Sequence, residues 1–552
     1  MSDFPPAGTS PNNSHPAGSA DSHPADFYSA DSSLPDTGDG AVRGTGTRGG
    51  VTRRSFLHRT GTGAVLFAGG VLAGGTAAAT PARRAAAGIA PADLDPLALL
   101  KRMLAFDTQN FGDGGITRPH AEMLKGVWGS AGVPAEIVPT PKKDNVHLIA
   151  RIKGTTAAAP LLLLGHSDVV PVERAKWTVD PFAGIVKNGE IYGRGALDMK
   201  GANAAFVTAL LRHLKEGGRF DRDIIVLTDC DEESGPYGSR WLAEHHWDKI
   251  NAGMVLTEGG WFLAQKDRKT PMLITVTRQD KVYFNLDLVA DGTATHSSKP
   301  NPDSAIAKLS RAVTAVDTWL APVSLTPVTR EYFSALAKAT HDDQLKRALE
   351  LLLSARSQHA RERAAALVVK RSSYPWLHRA LLRTTHAFVI EDAGYKENVI
   401  PSTATLRLNC RGVPGGQRPR DFLADFRGRL KDRDVTVKLV GNAGESEEDA
   451  LKRLDETFAK PPSSIDSPLY QAIGAAAAKT YPDAVFAPAL FEAGTSLSPW
   501  TSRGVPGYGV YPYVLDNDQL VTMHGTDERI SVAALQQGTE FMYRLFDRFR
   551  VR

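Results

Sequence analysis

The sequence predicts an α/β fold with a second, α+β layer inserted into it, and three observations carry that expectation. Short, almost wholly apolar runs at 161–164, 224–228 and 254–257 alternate with a helical stretch at 201–215, as strands covered on both faces do. From 281 the pattern changes to alternating strands at 282–289 and 403–409, with helices at 303–320 and 418–430. From about 467 the short apolar runs return, so the layer between them reads as an insertion.

Before these elements, residues 94–106 and 119–131 have helical periodicity, and 145–152 alternates like a strand. Within the inserted layer, 330–386 is unusually helical, with Leu345, Leu349, Leu352 and Leu353 at helix spacing between charges. A chain of 552 residues with 42% hydrophobic composition is too long for one ordinary core. The expected division is an extension at 1–50, a leader and spacer at 51–91, a main domain at 92–278 and 461–552, and an inserted domain at 279–460.

Residues 1–50 are rich in Pro, Ser, Gly, Asp and Ala, a composition that buries too little apolar surface to order itself. Thr52-Arg53-Arg54-Ser55-Phe56-Leu57-His58-Arg59 then precedes an uncharged, Gly/Ala-diluted run at 61–79. This resembles a twin-arginine export signal, with Ala77-Ala78-Ala79 as the small-residue cleavage pattern and 81–91 as a spacer. A membrane anchor is the competing reading, but the Gly and Ala content argues against it. The expectation is a secreted or cell-envelope protein with no stable membrane span once the signal is removed. Val51 stands directly before the motif, so a translation start there is a further expectation.

The formal net charge of +4 is small, and Lys and Arg are dispersed, so nothing supports nucleic-acid binding. Cys230 and Cys410 are the only cysteines, too few for a disulfide framework or a thiolate zinc site. They read as buried, unbridged small hydrophobes, and any metal chemistry must rest on His and carboxylates.

Three dense motifs each read as standing at a strand end: Gly165-His166-Ser167-Asp168, then Gly193 to Gly201 containing Asp198, then Asp231-Glu232-Glu233-Ser234-Gly235. In an open α/β sheet, ligands bind beyond the carboxyl ends of the strands, so this placement is coherent. A hydrolytic metal site needs neutral imidazole and ionised carboxylate ligands and a separate base for the attacking water, and the motifs supply each. Singly, an Asp-Glu-Glu is an acidic turn and a His-Ser-Asp is nothing; their joint order, completed by His524 to Arg529, favours a metal site.

Together the motifs resemble the M-twenty family of zinc metallopeptidases, which includes carboxypeptidase S, glutamate carboxypeptidases, aminoacylase and succinyl-diaminopimelate desuccinylase. The similarity runs from about Asp93 to the C-terminus. It implies a mixed-sheet zinc-exopeptidase domain with helices on both faces and an inserted α+β lid or dimerisation domain. It further implies two Zn2+ ions per subunit, bridged by Asp198, with His166 and Glu258 on one and Glu233 and His524 on the other. The same ligands accept Co2+ or Mn2+. Glu232 becomes the general base and Asp168 the carboxylate that orients a ligand imidazole.

In the inserted domain, Gly292-Thr293-Ala294-Thr295-His296-Ser297 resembles the family's lid motif, which makes His296 a donor to the developing oxyanion, supplied by the partner subunit in dimeric relatives. Asn398 and Arg411 match positions that hold a substrate carboxylate; outside the family they would read as a turn cap and a surface ion pair. Gly494-Thr495-Ser496-Leu497 stands where relatives usually read Gly-Thr-Asp followed by Arg, so Gly494 and Thr495 are expected to line a pocket that lacks the family's acidic residue. In the family that the motifs resemble, Glu rather than Asp at the position of Glu258 tends to accompany carboxypeptidases and deacylases, so the resemblance implies substrates with a free carboxylate. The helical insertion most resembles the carboxypeptidase S branch, whose members include N-acyl amino acid hydrolases.

The resulting expectation is a dizinc carboxypeptidase acting on short peptides, with an N-acyl amino acid amidohydrolase as the alternative and a homodimer formed through the lid domain. A noncatalytic binding protein is disfavoured, because such a protein would have no use for Glu232 beside five intact ligands.

Overall fold

The computed structural model describes residues 88–431 and 433–551. The extension expected at 1–50, the export signal and most of the spacer lie outside them. In chain order the first part contributes β1 (Ala135–Pro139), β2 (Val146–Ile152), β3 (Ala158–His166), β4 (Ile185–Lys187), β5 (Glu190–Tyr192), β6 (Arg222–Asp229), β7 (Met254–Ala264) and β8 (Pro271–Asp280). The middle contributes β9 (Val282–Asp291), β10 (Thr295–His296), β11 (Thr385–Ala393), β12 (Val399–Ile400), β13 (Thr403–Gly412) and β14 (Thr436–Val440). The last part returns with β15 (Val485–Phe491), β16 (Gly507–Leu515) and β17 (Arg529–Ser531).

Eight strands form one mixed sheet in the order β1-β2-β6-β3-β7-β16-β8-β15. Its centre, β6-β3-β7-β16, is parallel, and so is the edge pair β8-β15, while β1 with β2, β2 with β6, and β8 with β7 and β16 pair antiparallel. Successive side chains of a strand point to opposite faces. Leu161, Leu163, Ile224, Val226, Met254 and Leu256 therefore enter one core, and Leu162, Leu164, Ile225, Leu227 and Val255 a second. This is why the runs are apolar at nearly every position. The helices Lys200–Lys215 and Val532–Asp547 cover the first face, and Ser239–His245 with Trp500 covers the second, so the fold is the expected mixed α/β class.

The chain leaves the large sheet at the β8–β9 junction, where Lys281 is buried and donates from Nζ to the carbonyls of Ala380 and Arg383, both at 2.9 Å. A smaller antiparallel sheet follows, in the order β11-β13-β9-β14. Phe284, Leu286, Leu288 and Ala290 of β9 and Ala404, Leu406, Leu408 and Cys410 of β13 form its inner face. The helices Ala305–Val316, Pro419–Leu430 and Glu447–Phe458 pack on that face through residues such as Leu309, Phe422, Phe426 and Leu454.

The helical stretch comprises four helices, Pro327–Ala339, Asp343–Ser354, Gln358–Arg371 and Pro375–Leu382. In sequence it interrupts the small lobe, but in space it extends the large one. Tyr332, Phe333, Leu336, Leu349, Leu352 and Val368 join the large sheet's core, and the first helix lies against β15. Tyr374 fixes the attachment by placing its hydroxyl 2.9 Å from the carbonyl oxygens of both Ala264 and Leu515.

Cys230 and Cys410 are buried and unbridged. Among the described residues, no helix is long and apolar enough to cross a membrane.

Candidate metal centre

The parallel strands bring their carboxyl ends to one edge of the sheet, and the chemistry collects there. His166 is the last residue of β3. Its Nδ1 lies 2.9 Å from the carbonyl of Asp168, and its Nε2 faces Asp198 Oδ1 at 3.1 Å and Glu258 Oε2 at 3.6 Å. An imidazole anchored through Nδ1–H in this way has Nε2 directed to where a metal would be ligated. On the opposite side of Asp198, Oδ2 lies 3.1 Å from Nε2 of His524, and Glu233 Oε2 lies 3.4 Å from that nitrogen. Asp198 thus stands between two imidazoles, each with a second carboxylate: Glu258 beside His166, and Glu233 beside His524. Glu232 lies near the first half, its donor atom within 4.8 Å of those of His166 and Glu258.

Asp168 has a wider role than orienting an imidazole. Its carboxylate is 3.5 Å from His166 Nδ1, farther than its own carbonyl, and accepts instead the backbone N–H groups of Glu232 at 3.1 Å and Glu233 at 3.0 Å. Asn110 Nδ2 bridges Asp168 Oδ2 at 2.8 Å and Asp231 Oδ1 at 2.6 Å. The loop bearing the acidic pair is therefore held from below by a clamp whose parts lie far apart in sequence.

Two further clamps were not legible in the sequence. Glu528 is fully buried, pairs with Arg194, and accepts the N–H groups of Gly195, Leu197 and Asp198 at 3.0, 2.8 and 3.0 Å. Its place four residues after His524, inside the quoted motif, was the only available signal. Tyr511 of β16 places its hydroxyl 2.9 Å from Asp198 Oδ1 and 2.6 Å from Glu258 Oε2. Beside it, β7 and β16 meet at Gly259 and Gly509, where there is no room for a side chain. A Cβ on Gly509 would lie 2.0 Å from the carbonyl oxygen of Glu258, and Gly259 has φ +146°.

Electrostatics separate the groups. Burial, followed by the charge of Asp198, pushes Glu258 up to about 7. Burial and the charge of Glu258 push Glu232 well above the usual carboxylate range. For His524, burial lowers the pKa, but the bonds to Asp198 and Glu233 outweigh it and raise it to about 11. Burial likewise opposes His166, yet Asp168, Asp198 and Glu258 together hold it well above its ordinary value. Asp198 is held well below its usual range by the two imidazoles, although burial works against this.

These are the marks of a pocket with more carboxylate than positive charge. The donor set fits divalent cations: two imidazoles and three carboxylates converge, and Glu233 Oε1 is buried with no hydrogen-bond partner. By the family resemblance, His166, Asp198 and Glu258 would hold one ion and His524, Asp198 and Glu233 another; the donor atom of Glu233 also lies within 4.8 Å of those of His166 and Asp198.

The expected substrate-binding residues divide into two groups. Arg411, Gly494 and Thr495 meet at the junction of the lobes: a Cβ on Gly494 would lie 3.4 Å from Arg411 Nη1, and Thr495 donates its N–H and hydroxyl to Asp280 Oδ2 at 3.0 and 2.6 Å. Glu232 lies within electrostatic reach of Arg411, which stacks over Tyr283 at 5.2 Å. His296 and Asn398 are instead exposed on the small β10–β12 ribbon, where His296 pairs with Val399, the residue after Asn398. Their polar contacts stay within that ribbon, His296 Nδ1 with Ser298 Oγ at 2.8 Å and the Asn398 carbonyl with the Ser297 N–H at 3.1 Å.

An α/β sheet carrying a shared-carboxylate donor cluster at its carboxyl edge is an arrangement suited to holding divalent cations. Residues 162–548 match the model for Peptidase family M20/M25/M40, and the chain belongs to that family. It is 28% identical over 412 residues to a probable carboxypeptidase S-like 2 of Dictyostelium discoideum, covering 73% of this chain and 74% of that one. It is also 28% identical over 409 residues to the N-fatty-acyl-amino acid synthase/hydrolase PM20D1 of Homo sapiens, covering 73% and 76%. Among solved structures it resembles an M20 family metallo-carboxypeptidase from Sulfolobus solfataricus, with TM-score 0.58, 20% identity, and coverage of 82% of this chain and 99% of that one. That likeness concerns the fold.

Proposed function

We propose that the protein hydrolyses amide bonds next to a free carboxylate, as a dizinc carboxypeptidase releasing C-terminal residues from short peptides. The observation that carries this reading is the position of Asp198 between two imidazole–carboxylate pairs, with Glu232 beside the cluster but bonded to neither imidazole. Bound divalent cations would supply Lewis acidity toward the scissile carbonyl and make water acidic enough to deprotonate near neutral pH. Glu232 takes the proton of the attacking water and returns it to the leaving amine.

Arg411 holds the substrate carboxylate with its planar fork, and the pocket edge at Gly494 and Thr495 shapes the space beside it. His296 and Asn398 complete the site by closure of the small lobe or from a second copy of the chain, His296 as donor to the developing oxyanion. The family resemblance supports these last roles.

The 28% identity to an N-fatty-acyl-amino acid synthase/hydrolase favours a second reading, an N-acyl amino acid amidohydrolase with the same machinery. Hydrolysis of a panel of blocked dipeptides and N-acyl amino acids by metal-loaded protein, with a chelated control, decides between them. Cleavage confined to dipeptides establishes the carboxypeptidase, and cleavage confined to long-chain acyl amino acids the amidohydrolase. Export by the twin-arginine route belongs to the same proposal, and is tested by fractionating cells that carry Arg53→Lys with Arg54→Lys.

A further inference from the structure

Tyr511 takes no part in the chemistry above, yet its hydroxyl is placed among the cluster's carboxylates. The residue is fully buried, and its ring lies parallel to Trp261 at 4.5 Å with 6° between planes. Trp261 is fixed in turn by donating from Nε1 to Glu492 Oε1 at 2.8 Å. Packing alone would be served as well by Phe, and a buried hydroxyl is costly unless it is bonded. This hydroxyl meets Glu258 Oε2 at 2.6 Å and Asp198 Oδ1 at 2.9 Å, the two oxygens that face His166. It does not touch the other half, where Asp198 Oδ2 and Glu233 face His524.

A phenol has one proton to give. Donated to Glu258 Oε2, it fixes the carboxylate's rotation and decides which oxygen lone pairs face the space between His166 and Asp198. We propose that Tyr511 is a positioning residue for one ion of the pair, that held by His166, Asp198 and Glu258, and that it leaves the His524 ion untouched. The inference rests on the two-metal reading above. Groups that orient metal ligands in this way typically contribute about 10–100-fold in affinity.

The test is competition of the full-length, purified protein against a chelator for Zn2+, with Tyr511→Phe, Glu258→Gln and the double variant. Tyr511→Phe keeps the stack on Trp261. The expected result is that one of two zinc affinities falls about 10–100-fold while the other holds, and that Tyr511→Phe adds nothing further in the Glu258→Gln background. Two unchanged affinities, or an equal fall at both, overturns the inference while leaving the two-metal reading standing. A wild-type protein that binds no zinc overturns both. Should Tyr511→Phe fail to fold, difluorotyrosine at 511 keeps the shape and strengthens the donor. A shift confined to one ion then supports the inference, and no shift overturns it.

Discussion

The carboxylate of Glu528 accepts the backbone N–H of Asp198 at 3.0 Å, so the residue between the two imidazoles is held in place by the segment that also carries His524. The same oxygen accepts from Gly195 and Leu197, and the other pairs with Arg194, whose Nη2 reaches the Gly525 carbonyl at 2.8 Å. Donor cluster and chain closure are one construction.

Glu528→Ala leaves Arg194 buried and unpaired and three backbone donors unsatisfied. Breaking a buried pair of this kind costs about 3–5 kcal/mol. Urea unfolding is expected to show a loss of that order, with metal content falling in parallel; a loss below about 1 kcal/mol would contradict the clamp.

Glu232→Gln keeps the shape of the side chain and removes its basicity. The expectation is unchanged metal content with kcat lower by about 10²–10⁴-fold. Loss of metal in this variant would make Glu232 a ligand rather than the base.

Arg411→Lys replaces a fork with a point charge. Hydrogen bonds to charged groups are worth about 1.5–3 kcal/mol, so KM for carboxylate substrates is expected to rise about 10–100-fold. KM for the corresponding C-terminal amide should move little; an equal change in both would remove Arg411 from carboxylate recognition.

Glu492 gives a pH dependence with a definite sign. Burial raises it to about 7, and Oε2 is enclosed without a partner. The folded state therefore holds this proton more tightly than the unfolded chain, whose glutamates titrate near 4.3. The stability it contributes is present below about pH 4.3 and is lost as pH rises through about 7. Glu492→Gln escapes that loss, so its unfolding free energy relative to wild type should improve by about 2–3 kcal/mol between pH 5 and pH 8. A difference independent of pH would place the carboxylate in contact with water.

His166, Glu233 and Glu258 were legible because each comes shortly after an apolar run left by a strand buried on both faces, so chemistry and fold share one signal. Asp198 and His524 were legible through their motifs alone. The clamps were not legible, because a carboxamide such as Asn110 has no sequence relation to Asp231, 121 positions away, until β6 brings them together. The four helices at 327–382 show the same limit: their amphipathic spacing predicts helix, but whether Tyr332 and Phe333 face the large or the small sheet depends on tertiary contacts such as that of Tyr374 with Leu515. His296 is the opposite case, a motif evident in sequence on a ribbon whose own hydrogen bonds do not reach the cluster.

The central claim is that Asp198 joins two metal ions, and metal analysis of dialysed wild-type protein beside Asp198→Ala tests it most directly. The account predicts two equivalents of divalent metal per chain in the wild type and loss of both in the variant. A wild type without stoichiometric metal, or an Asp198→Ala protein that keeps both ions, would contradict it.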